Sequence, residues 1–254
     1  MELGGLSIDL LLVLFLVAIA AGFLDTLAGG GGLITMPALL ISGIPPLAAL
    51  GTNKLQGSMG TATATYLMLK HKKIRWNEVK QLMLFAFIGS VLGAIAVQLI
   101  NVDILSFIIP VVLLFIAVYF VFSPMPHHGK STPRLSKRQY QYCVIPAIGW
   151  YDGMFGPGTG SFFSLAGVSL RSHGLIDATA IAKALNFSTN VASLMVFIAV
   201  GQLVWVAGIT MMLGQIIGAW FGAHYLFKVN PSYLRIIVVL MCLGMLIKYG
   251  VSAI

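Results

Sequence analysis

The sequence contains two similar stretches, GFLD at 22–25 and GWYD at 149–152, which lie 127 residues apart. Four residues after each aspartate a glycine-rich run begins, GGGG at 29–32 and GPGTG at 156–160. Glycine destabilises a regular helix by about 1 kcal/mol per residue relative to alanine. Each run therefore predicts a helix break, and the repetition of stretch and break predicts that the chain consists of two related halves.

The chain around these breaks is strongly apolar. Of its 254 residues, 59% are hydrophobic and only 9% are charged, whereas soluble domains carry about 25% charged residues. So few charges cannot cover a water-facing surface, which excludes a soluble enzyme, a nucleic-acid-binding module and a disordered protein. Continuous apolar runs that are long enough to cross a ~30 Å hydrocarbon core predict an all-α polytopic membrane protein.

Each half contains five apolar segments. The segments of the first half are 8–28, 33–42, 48–69, 81–100 and 104–122. Those of the second half are 140–155, 161–170, 178–200, 204–227 and 233–249. The second segment of each half is short and follows a glycine-rich run, so we predict one broken or re-entrant half-helix per repeat. The domain prediction is a first transmembrane repeat at 1–122, a cytoplasmic connector at 123–139 and a second repeat at 140–254, with eight to ten transmembrane segments.

The basic residues predict the orientation of these segments. Twelve of the 15 Lys and Arg residues lie in connectors, which the positive-inside rule places in the cytoplasm. They are Lys70, Lys72, Lys73, Arg75, Lys80, Lys130, Arg134, Lys137, Arg138, Arg171, Lys228 and Arg235. The connectors at 43–47, 101–103 and 201–202 contain none and are predicted outside, as are both termini. The connector between the third and fourth segments is basic in the first half and uncharged in the second, so the two repeats have inverted topology, which is typical of secondary transporters.

Four charged residues lie within apolar segments. Asp25 and Asp152 end the first segment of each half, and Lys54 and Lys183 lie early in the third. A charge that faces lipid costs about 2.5–3.5 kcal/mol on insertion scales, so these side chains must face a cavity or one another. One interpretation is an Asp–Lys ion pair that stabilises each half. The other is that the four residues line a pathway for a substrate and a proton, with Asp25 and Asp152 as the proton-coupling residues.

The segments that follow the glycine runs predict an anion site. The N-terminus of a helix carries partial positive charge and unpaired N–H donors, which favour an anion. The candidate substrate-binding residues are Lys54, Lys183, Asn53, Asn186, Gly30, Gly31, Gly32, Thr35, Gly158, Thr159 and Ser161. The other amides in apolar segments, among them Gln56, Asn190 and Gln215, are interpreted as contacts between helices. We predict no metal site, no cofactor and no enzymatic activity, because the sequence contains no metal-ligand cluster and no catalytic motif.

The sequence resembles the sulfite exporter TauE/SafE family of membrane transporters in both halves. The resemblance rests on AGFLDTLAGGGGLITMP at 21–37, TNKLQ at 52–56, YDGMFGP at 151–157 and GQIIGA at 214–219. It implies the export of small sulfur-containing anions, such as sulfite or organosulfonates, across the bacterial cytoplasmic membrane.

The hypothesis from the sequence is therefore a secondary transporter in which a small anion binds between the two glycine runs. Alternating access moves one half against the other, and a buried aspartate carries a coupling proton. The expected partners are a small anionic substrate and the lipid bilayer, without nucleic acid, and homodimer formation is left open. Three alternatives remain: a passive anion channel, a membrane scaffold, and a cation transporter, against which the paired lysines count.

Overall fold

The computed structural model describes residues 2–122 and 132–225. A short antiparallel hairpin, β1 (Glu2–Leu3) and β2 (Leu6–Ser7), precedes the helices and places Leu3 opposite Leu6. The helices of the first half are α1 (Ile8–Ala28), α2 (Gly32–Ile41), α3 (Pro46–Lys70), α4 (Trp76–Gln98) and α5 (Val102–Phe122). The short helix α6 (Lys137–Gln139) lies at the end of the predicted connector, and the helices of the second half are α7 (Ile145–Met154), α8 (Thr159–Arg171), α9 (Leu175–Ala199) and α10 (Trp205–Tyr225). A π-helical turn, Tyr140–Val144, joins α6 to α7.

The helices follow the predicted segments closely, because their limits are set by local signals. The Ser7 side chain accepts a hydrogen bond from the Leu10 N–H at the start of α1, and Gly29 ends that helix with a φ of 81°. Pro46 begins α3, where a missing N–H costs nothing. The predicted segment at 233–249 lies outside the described residues, as do Lys130, Lys228 and Arg235.

Within the described residues, four helices are long and apolar enough to cross a membrane, namely α1, α4, α9 and α10. Helix α3 has 25 residues but carries many polar side chains, and most of it is buried among other helices. Large apolar side chains instead cover the outer faces, for example Leu16 on α1, Leu92 on α4 and Trp220 on α10. This distribution is expected where lipid replaces water around the molecule. The prediction of an all-α polytopic membrane protein is confirmed, while the inverted topology of its halves stays a prediction.

The helices pack across the boundary between the two halves. Helix α1 packs along α10, and α7 packs along α4, so the first helix of each half lies against the fourth helix of the other. Helix α10 also packs on α3, and α4 also packs on α9. Two bundles result, which we call the α1 bundle (α1, α2, α3 and α10) and the α7 bundle (α4, α7, α8 and α9). Helices α3 and α9 form the main contact between them.

Glycines allow the helices that pack across the two halves, α1 with α10 and α7 with α4, to approach each other closely. A Cβ atom on Gly218 of α10 would overlap the carbonyl oxygen of Ile19 in α1. A Cβ atom on Gly93 of α4 would overlap the carbonyl oxygen of Trp150 in α7 in the same way. Small residues at such contacts are the usual basis of helix association in membranes, where no hydrophobic force holds helices together. The helix pairs α1–α10 and α4–α7 are therefore packed in the same way, through glycines.

Candidate functional site

The two helix breaks meet where the bundles touch. A Cβ atom on Gly29, at the end of α1, would overlap the backbone of Gly160 at the start of α8. A Cβ atom on Gly32, which begins α2, would lie 3.0 Å from the Cα atom of Pro157. The Ser161 hydroxyl donates a hydrogen bond to the carbonyl oxygen of Ala28. The starts of both half-helices are thus held against each other by backbone contacts.

The four buried charges form two ion pairs, and each pair joins one half to the other. The Nζ atom of Lys54 lies 3.0 Å from Oδ2 of Asp152, and that of Lys183 lies 3.2 Å from Oδ2 of Asp25. Each lysine also donates a hydrogen bond to the backbone carbonyl of its aspartate. The interpretation of an ion pair within each half is therefore wrong. The reason is that α3 and α9 pack against each other, which brings each lysine to the break of the other half.

The pairs leave the site without net charge. Both lysine side chains are fully buried, and the side chains of Asp25 and Asp152 are 15% and 1% exposed. Removing one partner of a buried pair typically costs 3–5 kcal/mol, about the cost of an uncompensated buried charge. The lysines are therefore not free cations, because each already contacts a carboxylate.

Asp25 and Asp152 differ in how their carboxylates are held. Oδ1 of Asp25 accepts a hydrogen bond from the Gly31 N–H at 3.0 Å, so this carboxylate occupies the anion position at the start of α2. Oδ2 of Asp152 accepts no hydrogen bond from a described residue and has only its ion-pair contact with Lys54. Asp152 is therefore the carboxylate with fewer donors to stabilise its charge.

A small cavity of about 30 Å³ lies between the breaks and has a polar lining from both halves. A space of this size holds roughly two water molecules. Its lining residues are Asp25, Gly29, Gly31, Gly32, Asn53, Gln56, Gly57, Thr61, Asp152, Gly156, Gly158, Thr159, Asn186, Asn190 and Gln215. Asp25 and Asp152 thus line the cavity. Lys54 and Lys183 do not line it and contact the aspartates instead.

Hydrogen bonds fix the cavity amide of α3. Oδ1 of Asn53 accepts from the Thr35 hydroxyl at 2.6 Å and from Nε2 of Gln56 at 2.7 Å. Nε2 of Gln56 also donates to the Thr35 hydroxyl at 3.1 Å. Because its oxygen already accepts two bonds, Asn53 has its amide N–H₂ group to offer a ligand. The start of α2 therefore sets the orientation of an amide on α3.

The second half presents an equivalent amide from α9. Nδ2 of Asn190 donates to Oδ1 of Asn186 at 3.3 Å, one turn earlier on the same helix. This bond again leaves the N–H₂ group of Asn186 as the donor toward the cavity. The Thr159 hydroxyl donates to the Gly156 carbonyl at 2.7 Å and closes the break. Each half therefore contributes a donor amide whose oxygen is already bonded.

The structure places some of the predicted substrate-binding residues at the cavity and others behind it. Among the described residues, those that line it are Asn53, Asn186, Gly31, Gly32, Gly158 and Thr159. Gly30, Thr35, Ser161, Lys54 and Lys183 instead hold the breaks, the amides or the aspartates in place.

Sequence reasoning missed several residues that line the cavity. Gln56, Asn190 and Gln215 were recognised as polar groups in apolar helices, but polarity alone does not separate a contact between helices from a cavity wall. Thr61 gave no signal, because α3 contains several threonines. Only the packing of α3, α9 and α10 shows which polar faces converge.

The chain is similar to one known protein family and to several membrane proteins. The model of the family described as sulfite exporter TauE/SafE matches residues 14–249. A "Probable membrane transporter protein" of Haemophilus influenzae is 42% identical over 96% of this chain and 95% of its own length. "Probable membrane transporter protein ORF9" of Sinorhizobium sp is 40% identical, over 96% and 93% of the two chains. "Probable membrane transporter protein YfcA" of Escherichia coli K12 is 38% identical, over 91% and 86%.

No solved structure matches the chain. The family match nevertheless spans both halves, and the three relatives cover nearly the whole length of the chain. The protein is therefore a membrane transporter that belongs to the sulfite exporter TauE/SafE family.

Proposed function

We propose that the protein is a secondary transporter that moves a small anion across the bacterial cytoplasmic membrane by alternating access. The anion is of the sulfite or organosulfonate type, and its movement is coupled to protons. The observation that carries the proposal is the pair of crossed lysine–aspartate contacts around a cavity at the meeting point of two helix breaks. Half-helix N-termini and buried cations are both groups that bind oxyanions.

Charge balance explains how an anion enters the site. Two lysines and two aspartates sum to zero, and an added negative charge in this buried place is unfavourable. Protonation of one aspartate releases its lysine and restores neutrality when a monoanion binds. One proton thus accompanies each anionic charge, and the direction of transport follows the sum of the two gradients.

Alternating access involves the α1 bundle and the α7 bundle rather than the two halves of the sequence. The ion pairs, the contact between the breaks and the cavity all lie between these bundles. Within each bundle, glycines pack α10 closely against α1 and α4 closely against α7. Each bundle therefore moves as one unit. Release of a lysine by protonation and anion binding loosens the contact between them.

The coupling is tested with Asp25→Asn/Asp152→Asn in proteoliposomes loaded with sulfite. We expect an imposed pH gradient to accelerate sulfite flux through the natural protein and to have no effect on the double variant, because asparagine carries no proton. Asp177→Asn, which changes an exposed aspartate at the start of α9, is the matched control and should keep the response. A double variant that transports sulfite with an unchanged response to pH would show that the aspartates are structural.

A cation transporter is the second candidate, since both carboxylates line the cavity and the lysines do not. Thermal unfolding of the purified protein separates the two functions. We expect millimolar sulfite or methanesulfonate to raise the melting temperature, by the linkage of binding to stability, whereas Na⁺ salts of bulky anions should not. Stabilisation that follows the cation instead of the anion would favour the second candidate. Flux that does not saturate with sulfite concentration would favour a passive channel.

A further inference from the structure

We infer that Gln215 of α10 is a substrate-binding residue that determines which anions the transporter accepts. The inference rests on the proposed anion transport and adds to it a donor from a third helix. Gln215 lies in the cavity wall, and the residue is only 3% exposed. Neither the helix breaks nor the ion pairs contain it.

Gln215 differs from the other amides of the cavity. Asn53, Gln56, Asn186 and Asn190 each form at least one side-chain hydrogen bond. The side-chain amide of Gln215 forms none with another described residue. Buried amides are nearly always hydrogen-bonded to protein or to water, so an amide that has no protein partner and faces a cavity is open to whatever occupies that cavity.

Two glycines hold this amide in one place. A Cβ atom on Gly22 of α1 would lie 2.8 Å from Oε1 of Gln215. A Cβ atom on Gly60 of α3 would lie 3.3 Å from Cβ and 3.4 Å from Cδ of Gln215. The side chain therefore occupies a slot that exists only because both neighbours are glycines. Oε1 is the atom of the Gln215 side chain that lies nearest to Gly22 and Gly60. The N–H₂ group is therefore the part of the amide that can donate to a ligand.

The chemistry of the lining suggests the shape of that ligand. Asn53 on α3, Asn186 on α9 and Gln215 on α10 offer three neutral N–H₂ donors from three helices to one cavity. The lysines attract any anion, whereas fixed neutral donors select by the number and position of acceptor oxygens. Three donors fit an oxyanion with three terminal oxygens, such as sulfite or a sulfonate, better than a carboxylate with two.

The experiment compares Gln215→Leu with the natural protein in proteoliposomes that contain methanesulfonate or acetate. We expect KM for methanesulfonate to rise ten- to a hundredfold, as for the loss of a hydrogen bond to a charged group, and KM for acetate to change less than threefold. Gly60→Ala should raise the methanesulfonate KM to a smaller extent, because its Cβ displaces the amide. Gln141→Leu, a buried glutamine outside the cavity wall, is the matched control and should keep the natural selectivity.

Thermal stability without substrate distinguishes the binding role from a structural one. A ligand-binding amide has no protein partner to lose, so Gln215→Leu and Gln215→Met should melt at or above the temperature of the natural protein. A lower melting temperature for both variants, or an unchanged methanesulfonate KM, would overturn the inference. Absence of anion flux in the natural protein would instead contradict the proposed function, and the two failures are therefore distinguishable.

Discussion

Lys54→Met is expected to lower the free energy of unfolding by about 3–5 kcal/mol and to abolish sulfite flux. The substitution leaves Asp152 charged, without its cation, in a place where only 1% of its side chain is exposed. Domains are stable by only about 5–15 kcal/mol, so the loss is a large part of the total. Denaturant unfolding in detergent measures the stability, and proteoliposomes measure the flux.

The double variant Lys54→Met/Asp152→Asn separates charge from packing. Without either charge the desolvation cost disappears, so we expect most of the stability to return, while transport stays absent because the site has lost both a cation and a proton carrier. Lys80→Met, at an exposed position of α4, should change neither property. If the double variant is as unstable as the single one, the Lys54 stem and not its charge stabilises the contact.

Gly29→Ala is expected to destabilise the protein by about 2–5 kcal/mol and to eliminate transport. Its φ of 81° is unfavourable for alanine, at about 1–2 kcal/mol, and the added methyl group overlaps the backbone of Gly160 and Ser161. Separation of the two breaks would also remove the hydrogen bond from the Ser161 hydroxyl to Ala28. Unfolding and sulfite flux are measured as for Lys54→Met.

Gly43→Ala is the matched control for this substitution. Gly43 has a φ of 78°, and a Cβ atom there would have no heavy atom within 4 Å. It should therefore show the backbone strain alone, about 1–2 kcal/mol, and near-natural transport. The difference in unfolding free energy between Gly29→Ala and Gly43→Ala measures how much the contact between the two helix breaks stabilises the protein. Equal effects would mean that this contact contributes nothing.

The sequence predicts those features of the fold that depend on neighbouring residues. Apolar runs place the helices, and the glycine runs place the breaks, because hydropathy and glycine content act within a few residues along the chain. The cost of a charge in lipid likewise singles out Asp25, Lys54, Asp152 and Lys183 as residues that need partners.

The identity of those partners depends on packing between distant helices. From the sequence alone, Lys54 could pair with the aspartate of either half, and no local pattern decides between them. The choice follows from the packing of α3 against α9, which brings each lysine to the helix break of the other half. Gln215 shows the same limit, because a polar residue of α10 becomes a cavity wall only through the glycines of two other helices. Packing between distant helices is therefore what makes Gln215 a candidate substrate-binding residue.

The pairing of α1 with α10 has a consequence for biosynthesis. Among the helices of the described residues, α1 is synthesised first and its glycine-lined partner α10 is synthesised last. At synthesis rates of about 5–20 residues per second, α1 waits about 10–35 s in the bilayer before α10 is made. Asp25 likewise has no Lys183 to pair with until α9 has been made. Assembly of the α1 bundle is therefore not complete until α10 has been made, although α1, α2 and α3 are present much earlier.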